Sequence, residues 1–226
     1  MNKWIMAGTA AAFTGAAAFA RSEYERTHLD VVHYDIKTDK LGLEWNGFKA
    51  VFLSDLHDNS FGMENEELIA AIEKEQPDIV LIGGDMLVVK EWAAPHFDML
   101  ANLYEKLVER YPVYYAFGNH EQRMKEEPLT YSGWWQSYWK VLKDSGMHVL
   151  VNKSEEIIKN GGTMRISGIT LPRECYRKGR IPSLSVGYLD KKIGKASDKN
   201  FELLLAHTPT FAKTYADWGA DLVLSG

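Results

Sequence analysis

The sequence predicts an α/β domain built on two sheets, and three observations carry that reading. Short, nearly unbroken apolar runs recur along the chain; stretches with helical spacing of Leu, Ile and Ala separate them; Pro77 and Pro112 stop two of those stretches just ahead of the next run. An apolar run without a polar face suits a strand covered on both sides, and proline ends the helix before it. In order, LDVVHYDI (Leu29 to Ile36) reads as a first strand and FKAVFLS (Phe48 to Ser54) as a buried one. ENEELIAAIEKE (Glu64 to Glu75) is a helix, DIVLIGG (Asp78 to Gly84) a strand, His96 to Arg110 a helix and VYYAFG (Val113 to Gly118) a strand. Val149 to Ile169 reads as hairpins turning at Asn160-Gly161-Gly162. Pro172 to Asp198, rich in Lys, Arg, Gly and Ser, reads as a surface excursion, and ELLLA (Glu202 to Ala206) and DLVLS (Asp221 to Ser225) are the last strands.

A chain of 226 residues has room for one sizeable domain, and 46% hydrophobic with 25% charged residues excludes a disordered or polytopic membrane protein. A net charge of -5 without a basic block argues against nucleic acid as a partner. Cys175 stands alone, so the fold holds by packing without an internal disulfide. Trp4 to Ala20 carries no charge, follows Lys3 and ends in Ala18-Phe19-Ala20, a small-x-small site. Residues 1–22 are therefore a signal peptide or an N-terminal membrane anchor, with the domain at 23–226 on the extracytoplasmic face of a bacterial cell membrane or exported. No low-complexity stretch or internal repeat follows the leader.

Four apolar runs end in metal-type ligands, where open α/β sheets place their sites. The first gives Asp55-Leu-His57, the second Gly-Gly-Asp85, the third Gly-Asn119-His120-Glu121 and the fourth His207. In an extended segment Asp55 and His57 would face one side and share an ion. Oxygen donors mixed with imidazoles suit Mn, Fe or Zn better than Ca.

These blocks, D-x-H, G-D, G-N-H-E and a later H in that order, resemble the calcineurin-like metallophosphoesterase family over Phe48 to Gly226, and the leader resembles its small bacterial branch with an N-terminal signal or anchor. The resemblance implies an α/β/β/α sandwich of two mixed sheets flanked by helices, and hydrolysis of a phosphomonoester or phosphodiester at a centre of two divalent metal ions. It implies that Asp55 and His57 ligate the first ion, that Asp85 bridges, and that Asn119 and His207 ligate the second. His120 would stabilise the phosphoryl oxygen or protonate the leaving group, with Glu121 orienting it. The Asp-Arg pair that follows G-D in protein phosphatases is replaced here by Met-Leu, which disfavours that branch. The family's final Gly-His-x-His block is missing because the chain ends at Gly226, so a C-terminally incomplete domain with weakened metal binding is expected.

Taken singly, each of these residues suits a cap or turn after a strand; it is their joint occurrence that favours a site. His28, His33, His96 and His148 have no ligand-like neighbours and read as surface or core histidines. The cluster YSGWWQSYW (Tyr131 to Trp139) is ordinary helix packing, a hydrophobic wall for an acyl or sugar substrate, or a contact for membrane lipid; under the latter two readings it joins the leader in suggesting a lipid-linked substrate in the cell envelope. A monomer is expected. A non-catalytic metal- or phosphate-binding module and a membrane-tethered interaction protein are the alternative functions.

Overall fold

The computed structural model describes residues 15–226 except 25, 26, 132, 160, 161, 178, 180 and 181. Residues 15–24 are helical, and among the described residues no helix is long and apolar enough to cross a membrane. The leader reading falls mostly on residues 1–14, outside the described residues.

The apolar runs form two four-stranded sheets. β1 (Ala50–Leu53), β2 (Ile79–Ile82), β3 (Val113–Tyr115) and β4 (His148–Val149) lie side by side in that order, all parallel. The second sheet runs β5 (Lys153–Lys159), β6 (Gly162–Ile169), β7 (Phe201–Ala206) and β8 (Leu222–Leu224); β5 and β6 are antiparallel and the rest parallel. Among the described residues the first sheet is wholly parallel and the second mixed, a correction to the expectation of two mixed sheets. The hairpin is present with Lys159 opposite Gly162, while Asn160 and Gly161 of its turn lie outside the described residues.

Helices α1 (Glu66–Glu75), α2 (Phe97–Val108), α3 (Asn119–Glu126) and α4 (Trp134–Asp144) contribute to the core on the outer side of the first sheet. Helices α5 (Val186–Ile193) and α6 (Ala212–Trp218) cover the second. Strand alternation makes the layers: Val80 and Ile82 of β2 face the helices, whereas Ile79 and Leu81 meet Leu203 and Leu205 of β7 between the sheets. Leu204 and Ala206 of β7 then face Leu189, Ile193 and Tyr215.

Two readings are corrected. Leu29 to Ile36 is not a strand: it pairs with no strand among the described residues, and Val31, Val32, Tyr34 and Ile36 are exposed. Its polar anchor is His33, whose Nε2 lies 2.8 Å from Glu75 on α1. Nor is Pro172 to Asp198 merely an excursion, because α5 buries Leu189 and Ile193 against the second sheet. Those apolar residues four apart form one helical face that the surrounding Lys and Gly obscure.

Candidate metal centre

At the end of β1 the chain leaves the extended conformation at once. Asp55, His57 and Asp58 have φ of 55°, 53° and 58°, a left-handed region that Asp, Asn and His enter more readily than most residues. The expected extended geometry is therefore corrected, yet the two side chains still meet, with His57 Nε2 3.1 Å from Asp55 Oδ1. The coiling lets three amides bond three successive carbonyls of the neighbouring loop: Asp55 to Gly84 O, His57 to Asp85 O and Asp58 to Met86 O, at 3.0 to 3.1 Å. Ser54 Oγ donates to Asp55 Oδ2 at 2.7 Å, and Asp58 accepts from the Val88 amide at 2.9 Å.

Asp85 follows β2 with φ 51° and is almost wholly buried. Two glycines make this possible. Gly84 has φ 93°, and a β-carbon on it would overlap the Gly118 amide; a β-carbon on Gly118 would overlap Asp85 Oδ1. The loops after β2 and β3 are thus in backbone contact, and the His120 amide donates to Asp85 Oδ1 at 2.7 Å. Asn119 is the first residue of α3, one position ahead of that amide.

The second oxygen of Asp85 is the focus of the site. His207 Nε2, His57 Nε2 and His120 Nε2 lie 3.2, 3.7 and 4.0 Å from Asp85 Oδ2. Asp55 Oδ1 is 3.9 Å from His207 Nε2. His207 leaves the end of β7 and reaches across from the second sheet, its Nδ1 3.0 Å from Gly83 O. Gly226 borders the same spot, its amide donating to His207 O at 3.0 Å. Ligand-type atoms fall into two groups, each within 4.8 Å: Asp55, Asp85 and His207, and His57, Asp85 and His120. Both groups share Asp85, and Asp55 Oδ1 reaches between them, 3.1 Å from His57 Nε2 and 3.9 Å from His207 Nε2.

The electrostatics favour positive charge here. Burial works to lower the His207 imidazole, but the hydrogen bond and charge of Asp85 prevail and push it up to about 9. His57 is raised by its bond to Asp55. Burial works to raise both carboxyls, yet Asp85 is held below the usual carboxylate range by His207, and Asp55 by His57 and Ser54. A carboxylate shared between groups, set among imidazoles, is a donor set that fits divalent cations.

Sequence reasoning misassigned Glu121. Its carboxylate does not orient His120: Oε2 accepts from the Asp85 and Gly118 amides at 3.0 Å each, and Oε1 accepts from the Met86 amide at 3.0 Å and the Tyr115 hydroxyl at 2.8 Å. Adjacent helical residues point about 100° apart, which sends Glu121 into the core and His120 toward the site. The His120 ring is fixed instead by the Val89 amide, which donates to Nδ1 at 3.0 Å. Backbone N–H can only donate, so the tautomer follows: the neutral ring carries its proton on Nε2, facing Asp85. Burial lowers this imidazole and favours that neutral form. Tyr115, Val89 and Asp58 were not identified from the sequence, since tyrosine and valine in a strand or loop give no chemical signal.

A cavity of about 280 Å³ adjoins Asp55, with Leu53, Leu56, Phe61, Leu68 and Met86 among its apolar walls and Ser54, Asn59, His28 and Asp30 among its polar ones. Trp134, Trp135 and Trp139 pack against the helix-side core, and Trp135 meets Phe117 edge-on at 5.7 Å, which accounts for them as helix packing.

Comparison with known proteins agrees with this geometry. Residues 48–226 match the family model for calcineurin-like phosphoesterases. The chain is 29% identical to the metallophosphoesterase YkoQ of Bacillus subtilis over 77% of its own length and 58% of the relative's. It is 27% identical to the phosphodiesterase YaeI of Escherichia coli over 79% and 59%, and 23% identical to the Bacillus subtilis metallophosphoesterase YkuE over 96% and 71%. It spans about three fifths of the length of the first two relatives. With family motif, two-sheet sandwich and converging ligand groups in agreement, the chain belongs to the calcineurin-like phosphoesterase family.

Proposed function

We propose that this chain hydrolyses phosphoesters, with phosphodiesters as the preferred class, at a centre of two divalent cations held by Asp55, His57, Asp85, Asn119 and His207. The observation that carries the proposal is the convergence of three imidazole nitrogens on Asp85 Oδ2, with Asp55 Oδ1 3.9 Å from one of them, His207 Nε2. The diester preference is supported by the relative named a phosphodiesterase. Mn, Fe or Zn matches the mixed oxygen and nitrogen donors. When bound, such cations make water acidic enough to act as a nucleophile near neutral pH and neutralise phosphoryl oxygens.

The chain's own residues supply the rest. Asp85 holds the two ligand groups together, its Oδ1 tied to the His120 amide while Oδ2 faces the imidazoles. His120, its Nδ1 occupied by the Val89 amide, presents Nε2–H as a donor to a phosphoryl or leaving oxygen, where charge develops. The cavity beside Asp55 has apolar walls and room for a small leaving group.

The test is hydrolysis of bis(4-nitrophenyl) phosphate with added Mn. Turnover is expected in the wild-type chain and loss of at least about a thousandfold in Asp85→Asn, a protein ligand shared by both groups. Equal turnover in the variant defeats the reading. A chain that binds Mn without hydrolysing any diester or monoester supports the non-catalytic binding module instead.

The same proposal places the domain at the extracytoplasmic face of a cell membrane or outside it, acting on an envelope substrate that includes lipid-linked phosphoesters. Its support is the uncharged leader from Trp4 to Ala20. Fusing residues 1–30 to a phosphatase reporter that folds only outside the cytoplasm tests it; an inactive, stable fusion refutes it.

A further inference from the structure

We infer that the tyrosine hydroxyls of Tyr104, Tyr138 and Tyr115 form a positioning device for the metal centre, acting through Glu121; the inference rests on the function proposed above. The three residues come from separate elements: Tyr104 from α2, Tyr115 from the end of β3 and Tyr138 from α4. All are fully buried in the helix-side core. The Tyr104 and Tyr138 hydroxyls are 2.9 Å apart, those of Tyr138 and Tyr115 2.6 Å, and Tyr115 donates to Glu121 Oε1 at 2.8 Å.

One direction of donation satisfies this chain. Tyr115 gives its proton to Glu121, so its oxygen accepts from Tyr138, whose oxygen in turn accepts from Tyr104. Burial holds all three phenols neutral, each keeping the proton it donates. An apolar core gains nothing from three hydroxyls in place of three phenylalanine rings, because each must be partnered to offset its desolvation. Here the partner at the end of the line is a carboxylate whose other contacts are the amides of Asp85, Met86 and Gly118, on the two loops that carry Asp85 and Asn119. The hydroxyl line fixes the torsion of that carboxylate and with it the spacing of the two loops. Removing a link frees Glu121 to turn, and the amides it clamps lose their common anchor.

The experiment uses the whole chain with Tyr138→Phe, alone and together with Tyr104→Phe. The readouts are amide hydrogen exchange in the cation-free protein, Mn affinity by electron paramagnetic resonance, kcat and KM on bis(4-nitrophenyl) phosphate, and melting temperature. In Tyr138→Phe, exchange across residues 83–89 and 116–120 is expected to speed about tenfold, with β6 and β7 unchanged. Mn affinity is expected to fall about 3- to 10-fold and kcat to fall with KM nearly constant. Adding Tyr104→Phe removes the orphaned hydroxyl and is expected to recover thermal stability but not Mn affinity. Unchanged exchange at 83–89 with unchanged Mn affinity overturns the inference, as does recovery of Mn affinity together with stability in the double variant. If the wild-type chain binds Mn yet hydrolyses nothing, the proposed function fails while exchange and affinity still judge the tyrosine line. If it binds no Mn, both fall.

Discussion

Glu121 and Glu202 are both completely buried, and the molecule treats them in opposite ways. Glu202, at the start of β7, faces the Arg165 guanidinium at 3.4 Å and accepts the Ser197 amide at 2.9 Å. Arg165 in turn bonds Lys195 O at 2.8 Å as well as Ile193 O and lies over the Trp218 ring, so the pair fastens the loop after α5 to the second sheet. Glu121 is given four neutral donors and, among the described residues, no cationic side chain within salt-bridge range. Burial, with Asp85 nearby, pushes its carboxyl up to about 7. Where the task is to hold a fold, the buried charge is cancelled by a fixed cation. Where cations are to be received a few ångströms away, the buried carboxylate is held by dipoles alone, and the local field stays negative.

The comparison can be broken most easily at Arg165. Arg165→Ala strands Glu202, and a loss of about 3 to 5 kcal/mol is expected, the range for a buried charge robbed of its partner. Calorimetry should show a melting point lower by roughly 10 °C, with turnover per folded molecule unchanged. Lost turnover at constant folded fraction would erase the distinction between the two carboxylates. Glu121→Gln carries the next effect, since its amide nitrogen must confront a backbone N–H that needs an acceptor. A fall of roughly a hundredfold in kcat/KM is expected, equivalent to about 2.7 kcal/mol, with a smaller drop in melting temperature than in Arg165→Ala.

Gly118→Ala sharpens the same contrast without touching any charge. Its β-carbon would overlap the Asp85 backbone nitrogen as well as Oδ1, so Mn affinity, read by titration, is expected to weaken at least about tenfold, with a drop in melting temperature because the two loops must part. The smallest effect belongs to Glu155, a partly exposed carboxylate whose Oε2 lies 2.5 Å from His148 Nδ1 and whose Oε1 accepts from Lys153. Burial works to raise it, but these bonds leave it below its ordinary range. A lowered carboxyl contributes stability above its unfolded value, and that contribution is lost as pH falls through the folded value. Melting curves from pH 7 down to pH 3 should therefore converge for wild type and Glu155→Gln, the gap at pH 7 staying under about 1 kcal/mol.

Much of the site could be read from the sequence because parallel strands leave their chemistry at one end, and Asp55, Asp85, His120 and His207 each follow an apolar run. The left-handed backbone at Asp55 and His57 could not, since it depends on amide bonds to the loop after β2. Glu121 was misread because neighbours in sequence diverge on a helix, and the partners that define it, Met86, Gly118 and Tyr115, are fixed by tertiary contact. Leu29 to Ile36 has strand composition, yet no described strand accepts it, a choice that packing makes.

His207 is the one proposed ligand that comes from the second sheet; Asp55, His57, Asp85 and Asn119 follow strands of the first. An ion gripped by both sets acts as a rivet through the sandwich. Chelation would then slacken the seam between the two layers, and occupancy by metal would report how well the halves are mated.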